Sequence, residues 1–391
     1  MSAGGKRRVL FIGPYPPPYS GPELSMKLFL DSELKDHYEL RFLRTNFRAS
    51  NVNKARLDAS MVRAFFRFMS RLLVELLFHR PALVYYPVTP TQIGWLGRDA
   101  WCLLACRLFR VKSVIHLRGS HFKLNLSMFY PQIKRLVRLA CKDVSLALVQ
   151  ADCLRDQFQG LVSRERIAVL TQAIDTAEFR NPDPADYDPM RILFMGHLTK
   201  AKGYCDLLRA IPLVADEFPE VRFMVAGNMR EGERGVFFNQ ATGERIDYED
   251  PFEAEQEILA GPYAKNYENR GIITGDEKLE TIRRINFFVL PSYSEGFSRS
   301  LLEAMCLGKP VVCTPVGAHK EAVRHGEHGL VFDPGDVDGL AESMKKLLQD
   351  KLMRDKIGTR NYEDVRSTYD IRVVADDMHH LLDGVMDSHA K

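Results

Sequence analysis

Two glutamates in the second half of the chain are well placed to do chemistry. Glu295 follows the apolar run NFFVL, which predicts a buried strand, and Glu303 follows after seven intervening residues, inside a predicted helix. Carboxylates accept hydrogen bonds from hydroxyl groups, so both suit a polyhydroxylated ligand. Because ligands of parallel sheets bind outside the carboxyl ends of strands, we expect Glu295 at the mouth of a site and Glu303 a turn or two deeper.

The residues between these glutamates predict a helix start that suits a phosphate. Gly296 lets the backbone approach a ligand closely. Ser298 and Ser300 are typical of a helix N-terminus, where free N–H groups bind phosphate well. A polyhydroxyl group at Glu295, a diphosphate at the helix start and a ribose at Glu303 form a consistent picture.

Both glutamates belong to an ordered set of motifs. E-G-F-x-x-x-x-x-E-A-M is followed by G-K-P-V-V, T-P-V-G and a glutamate, then by G-x-x-G-L-V and P-G-D, within residues 295–336. This set resembles the retaining glycosyltransferases of family four. The resemblance implies the α/β GT-B fold, two doubly wound Rossmann-like domains facing across a cleft. It also implies transfer of a sugar from a nucleotide-sugar, UDP- or GDP-linked, with retention of anomeric configuration.

The resemblance assigns roles in donor binding. It implies that Glu295 contacts the hydroxyls of the donor sugar and that Glu303 holds the ribose of the nucleotide. The donor-binding residues implied in this segment are Glu295, Gly296, Phe297, Ser298, Ser300, Leu301 and Glu303.

A second motif, FMGHLTKAKGY at residues 194–204, resembles the glycine loop of the same family. Gly196 ends the preceding strand, and Lys202 matches the lysine that binds the donor diphosphate. A lysine there neutralises charge that builds on the leaving phosphate. His197 stands where the family usually has arginine, so a titratable donor replaces a permanent bidentate fork.

The N-terminal half offers weaker matches. GPYPPPYSGPE at residues 13–23 resembles the first glycine loop of the family, in which Gly21 opens a helix near the donor phosphate; a plain turn is the alternative. Arg118 follows the strand SVIHL in the place of the family's cleft histidine. His116 lies two residues earlier, on the same face of the strand. Either residue can take the cleft role, and the sequence leaves this open.

The sequence gives little support to metal-dependent, dinucleotide-dependent or ATP-dependent chemistry, or to nucleic-acid binding. Asp336-Val337-Asp338 spells D-x-D, a metal motif in another fold, but it follows a Pro-Gly turn and suits a helix cap. We therefore expect no essential metal or other cofactor. The chain has no G-x-G-x-x-G and no G-x-x-x-x-G-K-[ST], which argues against dinucleotide oxidoreductases and P-loop ATPases. No nucleic-acid-binding motif is present either.

The elements that must position these residues follow an alternating pattern of apolar strands and helices, which predicts parallel sheets. The proline-rich stretch 181–189 has linker composition. We predict an acceptor-binding domain over residues 1–185, a nucleotide-sugar-binding domain over 186–369 and a C-terminal helix over 370–391. Packing of this helix back on the N-terminal domain is one option, which the sequence leaves open. Residues 229–270 predict an inserted loop with a short helix.

Charge divides the chain. The 391 residues carry a net charge of +3, but residues 1–185 hold 28 Lys+Arg and 15 Asp+Glu, and the remainder is acidic by 10. In the segment 61–78 the charged residues Arg63, Arg67, Arg71 and Glu75 recur every fourth position. This pattern indicates either a helix packed on a sheet with its polar stripe in water or a basic amphipathic helix at an anionic membrane.

The compartment expected from the sequence is the cytoplasm, with the inner face of the membrane as the place of peripheral contact. Seven cysteines without a C-x-x-C pair suit reduced thiols. No secretory leader and no apolar stretch long enough for a membrane span are recognised.

The leading hypothesis is a retaining hexosyltransferase-like enzyme that uses a glycan or lipid-linked acceptor in cell-surface polysaccharide or glycolipid synthesis. One alternative is a related nucleotide-sugar hydrolase or epimerase. Another is a non-catalytic partner protein of a polysaccharide assembly, because His197 and Arg118 depart from the family pattern.

Overall fold

The computed structural model describes residues 5–17, 20–45, 59–179, 188–229 and 238–388, with the backbone alone for 59–62. The chain forms two compact units: the first contains Met1–Ile174 and Ile371–Lys391, and the second contains Asp175–Asp370. Residues 181–187 of the predicted linker and 230–237 of the predicted insertion lie outside the described residues.

The units divide after Ile174, eleven residues before the predicted boundary at 185. Linker composition marks the proline-rich stretch, but the residues just before it already pack in the second unit. The Thr176 hydroxyl donates to the Asp370 carboxylate, and the Arg366 guanidinium donates to the Phe179 carbonyl. These contacts move the boundary toward the N-terminus.

The first unit is built on a parallel sheet. Its described strands run in the spatial order β2-β1-β3-β4-β5-β6. The inner strands are near-continuous apolar runs, as expected for strands buried on both faces. The strands are β1 (Arg7–Gly13), β2 (Tyr38–Arg44), β3 (Leu83–Val88), β4 (Lys112–Leu117), β5 (Leu146–Val149) and β6 (Ile167–Val169).

Helices cover both faces of this sheet. Because crossovers between parallel strands are right-handed, the strand order puts α1 on one face and α3, α5 and α7 on the other. In this layer α3 packs against α5, and α5 packs against α7. Turns of π-helix at Glu75–His79 and Trp95–Asp99 extend α3 and join α4 to α5. The helices are α1 (Gly21–Asp31), α2 (Leu34–His37), α3 (Ala59–Val74), α4 (Gln92–Gly94), α5 (Ala100–Leu108), α6 (Phe122–Met128) and α7 (Pro131–Cys141).

The second unit repeats the design. Its described strands run in the order β12-β11-β10-β7-β8-β9, and all neighbouring pairs are parallel. Because β10 pairs directly with β7, the loops that follow these two strands leave the same edge of the sheet side by side. The strands are β7 (Arg191–Met195), β8 (Arg222–Ala226), β9 (Tyr267–Asn269), β10 (Phe287–Leu290), β11 (Val311–Cys313) and β12 (Gly329–Val331).

The helices of the second unit include α9, which lies in the predicted insertion. Asp336, the first carboxylate of D-x-D, caps α13 by accepting from the Gly339 N–H at 2.8 Å, which confirms the helix-cap interpretation. The helices are α8 (Tyr204–Ala215), α9 (Pro251–Ala260), α10 (Gly275–Arg283), α11 (Arg299–Cys306), α12 (His319–Ala322), α13 (Val337–Gln349) and α14 (Lys351–Thr368).

The C-terminal helix α15 (Ile371–Asp387) belongs to the first unit and packs against α1 and α2. The Tyr38 hydroxyl donates to Asp383 Oδ1 at 2.7 Å and lies 2.7 Å from His379 Nδ1. Lys112 Nζ donates to the Val385 carbonyl at 2.8 Å. Apolar residues of α15, including Met378, complete the core of the first unit.

Two general properties bear on the expected compartment. Within the described ranges, no helix has the length and hydropathy needed to cross a bilayer. None of the seven cysteines forms a disulfide; Cys153 is exposed and the other six are buried.

Candidate functional site

The turn after β7 carries the predicted phosphate lysine. The strand ends at Met195, and a short 3-10 turn, Lys200–Lys202, leads into α8. The turn is tied to the loop after β10, because the Tyr293 N–H donates to the Ala201 carbonyl at 3.0 Å. Lys202 Nζ lies 2.6 Å from Glu295 Oε1. The structure thus brings together two residues that the sequence placed 93 positions apart.

Glu295 is a buried carboxylate at the carboxyl end of β10, with 7% of its surface exposed. Ser292 Oγ donates to Glu295 Oε1 at 2.9 Å, and the Glu295 N–H donates to Gln240 Oε1 at 3.2 Å. Burial is the largest single effect and raises the pKa of Glu295, but the charge of Lys202, together with hydrogen bonds from Lys202 and Ser292, holds the pKa below its usual value. Glu295 is therefore an anion, paired with a cation at the sheet edge.

The helix α11 begins at this same edge. Ser298 is its N-cap, and the hydroxyl of Ser298 accepts from the Leu301 N–H at 3.4 Å. Ser300 Oγ donates to the Met195 carbonyl at 3.0 Å, which fixes the helix start against the end of β7. The N-terminus of α11, with its free N–H groups, therefore lies beside the turn that carries Lys202, as anion binding requires.

A further loop holds the Gly296 segment in place. The Ala318 N–H donates to the Gly296 carbonyl at 2.8 Å, and the Ser298 N–H donates to His319 Nε2 at 3.3 Å. Phe297 packs edge-on against His319 with 6.2 Å between ring centroids. Burial lowers the pKa of His319 to about 4, so its neutral ring can accept this hydrogen bond at pH 7.

Glu303 lies inside α11 and is 2% exposed. Two cations share its Oε1: Lys278 of α10 at 2.8 Å and Arg299 of α11 at 3.0 Å. The sequence prediction missed both. Arg299 could have been found, because it precedes Glu303 by one helical turn. Lys278 carries no local signal, since only the packing of α10 brings it there.

His197 is held by the loop after β8. Its Nδ1 lies 3.0 Å from Asn228 Oδ1, in the loop after β8, and the neighbouring Leu198 N–H donates to the Asn228 carbonyl at 3.1 Å. The ring is therefore oriented by a side-chain amide. Gly196, just before it, sits between the end of β7 and this loop, where its N–H donates to the Ala226 carbonyl at 3.0 Å.

The predicted site residues of the first unit lie in different surroundings. Gly21 is the first residue of α1, as predicted, with Ser20 as N-cap. His116 is fully buried within the sheet, its Nδ1 2.8 Å from the Tyr85 hydroxyl, and burial together with Arg118 puts the pKa of His116 well below its usual value. Arg118, at the end of β4, is half-buried over the Phe29 ring. Of these two candidates, only Arg118 has substantial exposed surface.

Across the described residues, no group of three or more His, Cys, Asp and Glu side chains could hold a metal ion.

The fold can be compared with solved structures. Alr3699/HepE of Anabaena in complex with UDP and glucose has a TM-score of 0.71 at 18% identity, covering 97% of this chain and all of that chain. Sucrose-phosphate synthase of Thermosynechococcus elongatus has a TM-score of 0.73 at 13% identity, covering 98% of this chain and all of that chain. At this identity the likeness shows the fold alone. The chain has the GT-B fold of two Rossmann-like units, which confirms the predicted fold class.

The sequence of the second unit matches a known family. Residues 175–364 match the family model described as Glycosyl transferases group 1. The chain is 25% identical over 178 residues to 2-deoxystreptamine N-acetyl-D-glucosaminyltransferase of Niallia circulans, covering 46% of this chain and 41% of that protein. It is 23% identical over 194 residues to the capsular polysaccharide biosynthesis glycosyltransferase CapM of Staphylococcus aureus, covering 49% and 45%. The chain thus spans less than half the length of these relatives.

The ion pair between Lys202 and Glu295 yields a prediction about pH. In the wild type, the lowered pKa of Glu295 adds stability above the unfolded-state pKa, and this contribution is lost as pH falls through the folded-state pKa. In Lys202→Met the cation is gone, so burial raises the pKa of Glu295 and its charge costs stability at neutral pH. We expect Lys202→Met to lose about 2 kcal/mol of unfolding free energy at pH 7.5 and clearly less at pH 5.

The measurement is urea unfolding of both proteins across this pH range. The double variant Lys202→Met/Glu295→Gln is the control and should lie close to the wild type throughout, because it buries no unpaired charge. Parallel pH profiles for the wild type and Lys202→Met would contradict the assignment.

Gly203, directly after Lys202, yields a prediction about stability. It has φ +72°, and a Cβ there would collide with the Pro291 carbonyl oxygen before the loop of Glu295. Gly243 has φ +75° but open space around it. We expect Gly243→Ala to cost about 1 kcal/mol of unfolding free energy from backbone strain alone, and Gly203→Ala to cost at least about 3 kcal/mol. Similar losses in urea unfolding would show that the two loops are not in close contact.

Proposed function

We propose that this chain is a retaining glycosyltransferase. It moves a sugar from a UDP- or GDP-linked donor to a glycan or lipid-linked acceptor, in the synthesis of cell-surface polysaccharide or glycolipid. The observation that carries the proposal is the convergence of Lys202, Glu295 and the N-terminus of α11 at the adjacent ends of β7 and β10. A cation, a hydroxyl acceptor and a phosphate-binding helix start are the groups that a nucleotide-sugar needs.

The ion pair suggests how the donor enters. Without a ligand, Lys202 and Glu295 neutralise each other at 2.6 Å. A diphosphate competes for the ammonium group with more negative charge than one carboxylate offers. Lys202 then turns to the diphosphate, and Glu295 becomes available to accept hydrogen bonds from the sugar hydroxyls. Ser292, which donates to the same carboxylate oxygen, keeps Glu295 oriented during this exchange.

The chemical step in this proposal is a displacement on one face of the donor sugar. The bond between the anomeric carbon and the diphosphate oxygen breaks, and the acceptor oxygen bonds to that carbon from the same side. The acceptor proton passes to the leaving phosphate. Lys202 and the N–H groups of α11 stabilise the charge that develops on the diphosphate, so the proposal includes no essential metal. His197, whose Nδ1 donates to Asn228 Oδ1, is a further donor toward that phosphate through Nε2 when both ring nitrogens carry a hydrogen.

Glu303 has the character expected of a ribose ligand. Its two cations hold the carboxylate in place through one oxygen, so it can accept from ribose hydroxyls without being displaced itself. The first unit is assigned the acceptor. Arg118, at the end of β4, is the candidate for the family's cleft role, because His116 is fully buried within the sheet.

The proposal also includes a place in the cell. We assign the protein to the cytoplasm, with peripheral contact at the anionic inner face of a membrane. The names of the relatives support the donor class and the pathway: one solved neighbour is described in complex with UDP and glucose, and CapM is named for capsular polysaccharide biosynthesis.

Incubation with donor but no acceptor separates a transferase, which turns over slowly there, from a hydrolase or epimerase.

Replacement of Glu303 tests the nucleotide half of the site. We expect Glu303→Ala to weaken the binding of UDP and GDP-sugars by about 10- to 100-fold, since a hydrogen bond to a charged group is worth about 1.5–3 kcal/mol. Isothermal titration calorimetry measures the affinities. Glu303→Gln serves where the alanine variant unfolds, and Glu342→Ala, on the exposed side of α13, is the matched control. Affinities equal to the wild type in both Glu303 variants would refute the ribose assignment.

Replacement of Glu295 tests the sugar half. We expect Glu295→Ala to lower the transfer rate by at least about 100-fold, since it removes a contact that strengthens as the sugar reacts. The affinity for free UDP should stay within a few-fold of the wild type, whereas any additional affinity for the UDP-sugar should disappear. Transfer is followed by product chromatography and binding by calorimetry. Full turnover by Glu295→Ala would exclude the role.

A further inference from the structure

The helix layer α3–α5–α7 of the first unit has an unusual outer surface. A helix that packs on a sheet normally buries its apolar side and turns polar side chains outward. α3 buries Phe68, Leu72 and Leu76 toward the unit, as expected. Its opposite side is also apolar. Phe66 is 65% exposed, and Phe78, which lies in the π-helical turn after α3, is 75% exposed.

These exposed apolar residues form one row along the helix. Phe66, Leu73, Val74, Leu77 and Phe78 are all exposed, and their spacing of three, four and seven puts them on one side. The row extends for about 18 Å at 1.5 Å per residue. Of the two interpretations of this segment, a helix whose polar stripe alone meets water does not account for this exposed apolar row.

Arginines run beside the row. Arg63, Arg67 and Arg71 are exposed and four residues apart, so they form a basic edge on the same exposed side of the helix, next to Val74 and Phe78. Glu75, the next residue in this series, is bound by Arg41 through two hydrogen bonds of 2.5 and 2.9 Å. Its negative charge is thereby compensated, and the edge is positive along its length.

The neighbouring helices extend the same surface. Leu108 of α5 is 75% exposed, and Leu139 of α7 is also exposed, next to the exposed Arg138. Trp101 of α5 is 41% exposed, and its indole N–H donates to the Leu96 carbonyl at 2.7 Å. With this group satisfied, the ring can enter an apolar medium at no cost in hydrogen bonding.

The charge around this surface is mostly positive. Residues 59–143 contain 14 Lys+Arg and three Asp+Glu, of which Glu75 is bound by Arg41 and Asp143 pairs with Arg107 at 2.7 Å. Asp99 is fully buried and accepts from the Tyr86 hydroxyl at 2.6 Å, so it adds no surface charge. Two copies of this surface would repel each other, which argues against self-association here.

We propose that the outer surface of the α3–α5–α7 layer docks on a bilayer rich in anionic phospholipids. α3 lies in the plane of the interface, its apolar row enters the boundary between headgroups and acyl chains, and Arg63, Arg67 and Arg71 bind lipid phosphates from above it. The surface gives the peripheral contact of the proposed function a physical site. It stands independently of the transfer chemistry, because none of these residues belongs to the donor site.

The two tryptophans provide the test. Trp95 is fully buried and Trp101 lies on the docking surface. The full chain is mixed with vesicles of phosphatidylcholine alone or with added phosphatidylglycerol, at low and high ionic strength. We expect flotation with the anionic vesicles at low ionic strength, a blue shift of the emission and quenching by lipids brominated on the acyl chain. Trp101→Phe should abolish the shift and the quenching while flotation persists.

Two double variants separate the forces. Arg67→Gln/Arg71→Gln removes two cations, and we expect about 25-fold weaker binding to anionic vesicles, at about fivefold for each residue. Leu77→Ser/Phe78→Ser should abolish acyl-chain quenching. Leu352→Ser/Lys356→Gln, which changes an exposed leucine and lysine four apart on α14, is the matched control and should bind like the wild type.

The proposal would be overturned if the wild type did not float with anionic vesicles at low ionic strength, or if the control variant lost as much vesicle binding as the surface variants. Unquenched tryptophan emission from bound protein would also overturn it. So would a dimer, seen by light scattering, that Leu77→Ser/Phe78→Ser dissociates. Calorimetry with UDP is run on every variant. UDP affinity kept while vesicle binding is lost, or the reverse, distinguishes failure of the docking surface from failure of the donor site.

Discussion

The pairing of Lys202 with Glu295 is the interaction on which the site depends. A carboxylate buried at the end of a strand costs several kilocalories per mole if no cation compensates it. The cation must come from the loop after β7, and it reaches Glu295 at 2.6 Å only if the two loops touch. Gly203 allows this approach to the Pro291 carbonyl, and the hydrogen bond from Tyr293 to Ala201 holds it. The backbone of both loops is thus arranged around one ion pair.

The two glutamates of the site are neutralised in different ways, and the difference matches different tasks. Glu295 is paired with one cation, Lys202, which is 27% exposed and can turn to an incoming anion. Glu303 has two partners on one oxygen, Lys278 and Arg299, and is almost without solvent contact. The first carboxylate can therefore exchange its partner for a ligand, whereas the second is fixed before a ligand arrives. Preorganisation of this second kind limits the ordering that binding requires.

The parts of the fold that the sequence predicted well are those with a local signal. β4, β7 and β10 are apolar runs long enough to be predicted as buried strands. The edge strand β2, with the sequence YELRFLR, mixes charges with apolar residues, and β9 has only three residues; neither was found. The proximity of Lys202 to Glu295 followed from motif resemblance rather than from spacing. Lys278 could not be found, because its contact with Glu303 exists only once α10 has packed.

The two halves of the chain have net charges of opposite sign, and this difference is explained by what each half binds rather than by the stability of the fold. The positive excess is concentrated in residues 59–142, and its exposed arginines on α3, such as Arg67 and Arg71, add nothing to the core of the first unit. The second unit carries the negative excess but holds the residues proposed to bind a diphosphate. This is no contradiction, because mobile ions screen exposed charges beyond about 8 Å, whereas Lys202 and the N-terminus of α11 act at contact distance. An anion in this site would therefore respond to a few nearby donors, whereas an extended anionic surface would respond to the sum of many separated arginines. A single bound anion therefore needs a few donors at contact distance, whereas an extended anionic surface needs many separated cations. This chain contains a site of each kind.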